Sequence, residues 1–188
     1  MASSSLREHV LRASVDFIAE NGPDRLSFRR VAAAAGVSHQ APYHHFADRK
    51  AIFRAIALEG FTMFRDELRA AVAQPDGSLA MLEAYVEFAL ANRGHYRVMF
   101  RRDLCDVLFD TELKTVADDS FDVLVDQVRA DLSDDPSIDD IRARATAMWS
   151  LAHGLADLLI DGPLEGKIGT IEDRRTFIRA VALQSKKA

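Results

Sequence analysis

Residues Ser27 to Phe53, SFRRVAAAAGVSHQAPYHHFADRKAIF, describe two short helices held at a fixed angle and a third departing from them. Ser27 is placed to cap a helix through Phe28, Val31, Ala32 and Ala35, an apolar stripe at i, i+3, i+4 and i+7 that leaves Arg29, Arg30 and Ala33 on the other side. Gly36, between Ala35 and Val37, supplies the positive φ or the close backbone approach that a tight turn requires. Ser38 is a second N-cap candidate, opening HQAPYHHF, and Asp48 a third, opening RKAIFRAIALEGFTMFRDELRAAV. Helix, glycine turn, helix is the helix-turn-helix pattern, whose second helix enters a major groove by its N-terminal residues.

The side chains of that second helix fit such a task. His39 and Gln40 fall in its first turn, and glutamine is a bidentate partner for adenine N6 and N7. Tyr43 offers a hydroxyl to a phosphate and a ring to a thymine methyl, while His44, His45 and Arg49 add donors near the DNA backbone. Pro42 forfeits one early hydrogen bond, so the expected helix is short, about two turns.

The order of Ser27, the Ala32 to Ala35 run, Gly36-Val37-Ser38, Tyr43-His44-His45-Phe46 and Asp48-Arg49-Lys50 resembles the DNA-binding domain of the tetracycline-repressor family of bacterial transcription regulators. The likeness spans Leu6 to Phe64. It implies a homodimer whose second helices read adjacent major grooves of a double-stranded operator and whose C-terminal helices bind a small-molecule effector. By the same resemblance Ser27, Ser38, His39, Gln40, Tyr43, His44, His45 and Arg49 sit where such proteins touch DNA, and Arg29 joins them as a candidate contact. Gly36 and Phe46 sit where they turn and pack.

Composition sets the bounds. The chain has 188 residues, is 48% hydrophobic and holds no apolar run near ~18 residues, which predicts a soluble globular protein of one large or two modest domains. The opening MASSSLREHV lacks the apolar stretch of a signal peptide, and the single cysteine, Cys105, permits no internal disulfide. A reducing, cytoplasmic home is the expectation. The net charge of −5 is unevenly spread: residues 1–54 hold eight Arg and Lys against five Asp and Glu, a surplus of three, and the remainder holds sixteen against twenty-four. The segment with the helix-turn-helix is thus the basic one, as phosphate contact demands.

Outside that segment the chain reads as helix after helix. Leu6, Val10, Ala13, Phe17 and Ile18 form the stripe of a first support helix, ended by Asn21-Gly22-Pro23. From Asp48 the pattern Phe53, Ile56, Phe61, Phe64 and Leu68 continues as one linking helix, with a domain boundary near Met63. Residues 1–63 are then the DNA-binding domain and 64–188 the effector-binding and dimerisation domain. Gln74 to Ser78 is a turn, with Ser78 capping a helix over Leu79 to Asn92, ended by Asn92-Arg93-Gly94. HYRVMFRRDL reads as a short helix, and Thr111 to Leu132 as a long one with Leu113, Val116, Phe121, Leu124 and Val128 to one side and a solvated row of aspartates to the other. Ser133 to Ser137 is a loop before a helix over Ile138 to Ile160, stopped by Gly162-Pro163. Thr170 then caps a final helix over Ile171 to Ser185, with Glu172 and Asp173 in its first turn and Lys186 and Lys187 at its end. The expectation is an all-α fold of about nine helices, with the last two long ones, Ile138 to Ile160 and Ile171 to Ser185, pairing with their copies in a four-helix bundle.

Trp149 to Gly154, WSLAHG, resembles the tryptophan-histidine-glycine signature of one C-terminal domain class in the same family. His153 lies four residues after Trp149, so both project from one face; His153 is either a packing histidine beside Gly154 or an effector contact. Tyr85, Phe88, Tyr96, Met99, Phe100, Phe109 and Phe121 are either core or the lining of an apolar cavity of ~300–1,000 Å³. The candidate effector contacts are Tyr85, Phe88, Tyr96, Met99, Phe100, Phe121, Trp149 and His153. No H-E-x-x-H, cysteine pair, G-x-S-x-G or glycine-rich phosphate loop occurs, so neither a metal, a cofactor nor catalysis is expected. The functional expectation is a repressor released from a near-palindromic operator by a small apolar effector; the alternative is an all-α enzyme or carrier without DNA function.

Overall fold

The computed structural model describes residues 2–132, 135–160 and 162–185. Among them are nine α-helices, two 3-10 turns and no strand. The helices are α1 (Ala2–Asn21), α2 (Phe28–Ala34), α3 (Arg49–Val72), α4 (Gly77–Ala91), α5 (Arg93–Met99), α6 (Thr111–Asp131), α7 (Ile138–Ile160), α8 (Glu165–Ile168) and α9 (Arg174–Ser185). The 3-10 turns are Pro23–Arg25 and Ala41–His44. Two compact units result, one of residues 1–62 with 92–117, the other of 63–91 with 118–188, and α3 and α6 each pass from one into the other. A division at 63/64 alone would place 92–117 in the second unit.

The first unit closes around Val10, Ile18, Leu26, Val31, Ile52, Phe53 and Ile56, each at most 2% exposed. The buried stripe of α1 is Val10, Leu11, Ser14 and Ile18, rotated from the expected one, because Ser14 hides its hydroxyl by donating to the Val10 carbonyl at 2.8 Å. Gly94 does not end a helix, as its sequence context suggested. It lies inside α5, where an added Cβ would stand 2.3 Å from the Val15 carbonyl oxygen, so the α5 backbone rests directly on α1. At Gly60 the α3 backbone lies against side chains of α5, with an added Cβ 2.7 Å from Met99 Sδ and 3.1 Å from His95 Cβ. That is why residues 92–117 travel with the head. Arg54 of α3 binds Asp110 and, at 2.7 Å, Glu112 at the start of α6, while Asp110 caps α6 by accepting from the Leu113 N–H at 3.0 Å. The guanidinium of Arg54 is the main cause holding the Asp110 carboxyl below its ordinary value of 3.8.

In the second unit α4 is apolar on most of its circumference, with Met81, Leu82, Tyr85, Val86, Phe88 and Ala89 buried, and α7 and α9 pack against it. One charge is buried among them. Glu83, 5% exposed, is met by Arg175 and by Arg179 at 2.7 Å, and Arg179 also reaches Asp76 at 2.7 Å, so α9 is bolted to α4 by paired charge. Several expected caps differ. Helix α4 begins at Gly77, and Ser78 inside it turns its hydroxyl to Asp131. Helix α9 begins at Arg174 rather than Ile171, capped by Asp173, which accepts from the Thr176 N–H at 3.0 Å; Thr170 lies outside it. The four-residue α8 was not anticipated. Of α6's expected apolar side, Phe121 stays 39% exposed. Ser133, Asp134, Lys186 and Lys187 lie outside the described residues.

Candidate nucleic-acid interface and aromatic cluster

Helix α2 starts where Ser27, in extended backbone, accepts from the Arg30 N–H at 3.4 Å, and it buries Phe28, Val31 and Ala32. It ends in a paired-bond glycine turn: the Val37 N–H returns to the Ala32 carbonyl at 3.0 Å and the Gly36 N–H to Ala33 at 3.2 Å, with Gly36 at φ +63. The left-handed residue that the sequence required is therefore Gly36.

The expected two-turn second helix is absent, replaced by the single 3-10 turn Ala41–His44. Pro42 has no N–H to give a helical ladder, Ser38 makes no side-chain cap, and the turn is built from Ala41 N–H to Ser38, Tyr43 N–H to Gln40 and His45 N–H to Pro42. Ala41, Pro42 and Phe46 face inward. Ser38, His39, Gln40, Tyr43 and His44 face solvent and His45 is half-buried, so one short turn gathers the candidate contacts on one surface. Tyr43 is 50% exposed; its ring stands edge-on against Phe28 at 4.3 Å, with His39 alongside at 5.9 Å.

Ser27 and Arg29 are also exposed. Arg49 is exposed, and its guanidinium donates to the Leu26 and Asp24 carbonyls at 3.3 and 3.5 Å and lies over the Phe53 ring. It fastens α3 to the segment before α2. Asp48 caps α3 as expected, accepting from the Ala51 N–H at 2.8 Å. Lys50, part of the motif that carries the resemblance, and Arg25, which the sequence marks only through the basic surplus of residues 1–54, add exposed positive charge.

The candidate effector residues divide between the units. In the second, Tyr85 hydroxyl and His153 Nδ1 are 2.7 Å apart, Phe64 stands edge-on to Tyr85 at 4.9 Å and beside Phe88 at 5.0 Å, and Phe121, Trp149 and His153 follow in a row with ring centres 5.6 and 6.4 Å apart. His153 Nε2 lies 3.8 Å from Asp157. Phe64 was missed because its periodicity marks it only as a linking-helix core position. In the first unit Met99 is 1% exposed, and Phe100 packs between Phe61 at 5.5 Å and Tyr96 at 5.4 Å. Phe109, expected as core or cavity lining, is 86% exposed and is neither. Cys105 is buried, which pushes its thiol up to about 11 with help from Asp103, Asp106 and Asp110. Among the described residues no three His, Cys, Asp or Glu side chains converge to hold a metal ion, and no helix is long and apolar enough to cross a membrane.

Comparison with known proteins adds to this geometry. Residues 10–56 match the family model of bacterial regulatory proteins, tetR family, and residues 78–183 match the tetracyclin repressor-like C-terminal domain. The chain is 36% identical over 76 residues to the HTH-type transcriptional repressor Rv1474c of Mycobacterium tuberculosis, covering 40% of this chain and 38% of that protein. It is 23% identical to the uncharacterized HTH-type transcriptional regulator YobS of Bacillus subtilis over 94% of this chain and 93% of the other. Its fold is similar to that of the TetR family transcriptional regulator PfmR of Thermus thermophilus, with a TM-score of 0.70 and 18% identity over 91% of this chain and 93% of that one. With a glycine-turned head matched at one end and more than half of its length matched at the other, this chain belongs to the tetracycline-repressor family of DNA-binding transcriptional regulators.

Proposed function

We propose that this regulator is a homodimeric repressor that holds a near-palindromic operator through residues 1–63 and leaves it when a small, largely apolar effector occupies residues 64–188. The observation that carries the reading is the surface of the 3-10 turn. His39, Gln40 and Tyr43 are exposed together on a basic segment, beside Ser27, Arg29, Ser38, His44 and His45, with Ala41, Pro42 and Phe46 packed beneath. An enzyme or carrier has no use for that arrangement. Arg49, exposed and tied by one guanidinium nitrogen to the Leu26 and Asp24 carbonyls, completes the set as a donor to the DNA backbone.

The effector reading rests on the Tyr85, Phe88, Phe121, Trp149 and His153 cluster, an apolar set with one polar pair, as small-molecule sites use. The same reading assigns the body to the tryptophan-histidine-glycine class, supported by the sequence of Trp149, His153 and Gly154 on α7. Pairing through α7 and α9 brings two heads to one duplex, and a cytoplasmic location follows from a DNA target. Release needs differential affinity: an effector that fits better when the heads depart from the ~34–36 Å groove spacing shifts the dimer to the form that cannot dock, and ~1–3 kcal/mol of coupling loosens the operator roughly 5- to 150-fold.

The test is retention of the purified dimer on mixed genomic fragments at two salt concentrations, followed by recovery of the bound fragments. Steeply salt-dependent retention with enrichment of a two-fold symmetric sequence is expected. Salt-independent or absent binding sinks the reading in favour of the carrier.

A further inference from the structure

The reading segment between Gly36 and His45 is held by little of its own making. It contains one 3-10 turn and no α-helical ladder; Ala41 and Pro42 pack beneath it and Tyr43 stands against Phe28, so the angle at which it leaves α2 depends also on what grips its ends. Helix α1 grips both. His9 Nε2 lies 2.8 Å from the Ala35 carbonyl oxygen, the last group before the Gly36 turn, although His9 is on the outward side of α1 and 26 residues away. Two residues earlier, the Arg7 guanidinium lies over the ring of Phe46, the first residue beyond the 3-10 turn's C-cap, at 5.2 Å.

The Ala35 carbonyl is one of the orphan acceptors at a helix C-terminus. The paired bonds of the glycine turn use Ala32 and Ala33, and the Val31 carbonyl takes the Ala35 N–H. A carbonyl only accepts, so the proton is on His9 Nε2 and the imidazole donates. The burial of Val10, Leu11, Ser14 and Ile18 seats α1 without this bond. What the bond fixes is the exit direction of the chain that carries His39, Gln40 and Tyr43.

We propose that His9 is a positioning residue for operator recognition: its Nε2–H ties α1 to the Ala35 carbonyl and sets the angle at which the 3-10 turn meets base edges. The proposal rests on the head's reading as a DNA-binding surface. Loss of the tie leaves the phosphate-binding charges in place but lets the turn wander, so specific binding suffers and nonspecific binding does not.

The experiment uses the full-length dimer, the duplex that the wild-type protein enriches from a random-sequence library, and an unrelated duplex of equal length. His9→Leu keeps the bulk and removes the donor; His9→Gln restores an amide N–H near the Nε2 position. The leucine variant is expected to bind the enriched duplex roughly 3- to 10-fold more weakly, with unchanged affinity for the unrelated duplex and an unchanged salt slope. The glutamine variant is expected to recover most of that loss, and circular dichroism melting tests that both variants keep the fold. Wild-type affinity in His9→Leu, or no recovery in His9→Gln, overturns the proposal. Equal loss on both duplexes with a shallower salt slope also overturns it, since that identifies His9 as a phosphate contact. If the wild type enriches no duplex at all, the DNA-binding reading of the head fails and takes the proposal with it.

Discussion

Tyr43 divides packing and the proposed recognition between different atoms: its ring stands edge-on with Phe28 at 4.3 Å while half of the residue remains open to solvent. The two roles separate by substitution. Tyr43→Phe keeps the ring contact and removes the hydroxyl, so operator affinity falls with an unchanged melting temperature. Tyr43→Ala also forfeits an aromatic contact worth about 0.5–1.5 kcal/mol, so the melting temperature falls with it. Gln40, exposed and without a packing role, is the cleaner probe: Gln40→Ala is expected to lower operator affinity about 5- to 150-fold, the range of a lost bidentate base contact, at unchanged stability. A loss of folding in Gln40→Ala rejects its assignment as a surface contact. Asp110 makes a pH prediction. Its folded carboxyl is held low by Arg54, so its contribution is complete above the ordinary 3.8 and is lost as pH falls through the lowered value. Arg54 is 40% exposed, which limits the pair to on the order of 1 kcal/mol. Thermal melts of Asp110→Asn against wild type should therefore differ at pH 7 and converge only as pH falls below 3.8 and through the lowered value; a difference that persists at still lower pH assigns the effect to capping of α6 instead.

At the scale of elements, Gly36 is where conformation rather than space decides. Among the described residues an added Cβ there meets nothing within 4 Å, yet φ is +63. Gly36→Ala should cost about 1–2 kcal/mol, Gly36→Val more, and Gly36→Asn least, measured by denaturant melts; a ranking by side-chain volume instead would point to steric crowding. Such punctuation was legible in the sequence because it is local: Ser27, Gly36 and Asp48 each act within three to five residues of themselves, and the bonds they predicted are present. The second element of the motif was misjudged in kind. Ser38 and the length of HQAPYHHF suggest a helix, but Pro42 removes a donor and the surrounding contacts settle for one 3-10 turn. At the start of α9, Thr170 and Asp173 are both competent caps, and local pattern does not choose between them. Long-range pairings were invisible for a different reason. Glu83 looks like any helix-surface glutamate until Arg175 and Arg179, more than ninety residues later, fold onto it. Likewise Gly94 resembled a helix stop because nothing in its neighbourhood announces the Val15 carbonyl beneath it. The aromatic candidates shared the same limit: spacing identified apolar faces but not which unit each would join.

At the scale of the whole molecule, the outward face of α7 is the feature that a single chain leaves unexplained. Ala143, Ala147, Ser150 and Gly154 recur at helical spacing and all face solvent, Leu158 beside them is 45% exposed, and Leu183 of α9 is 48% exposed. Among the described residues nothing comes within 4 Å of the position a Gly154 Cβ would take, so the small residue does not serve to admit another described helix of the same chain. Small side chains let backbones approach closely, and such a face suits the pairing of α7 and α9 with a second copy proposed above, on an interface of about 1,200–2,000 Å². Glu83 with its two arginines then has a purpose at a distance, because it fixes α9 against α4 and so keeps both helices of the interface in one plane of contact. Gly154→Arg tests this without touching the core: the guanidinium projects into solvent in one chain and into the partner in a pair. Sedimentation should give a folded monomer with unchanged helical content. A monomer carries one head, so it loses the effective concentration of the second: operator affinity should drop by at least ~10²-fold and the salt slope by about half. A Gly154→Arg protein that sediments as a dimer places the interface elsewhere, and a monomer that binds the operator as tightly as the wild type shows that one head suffices.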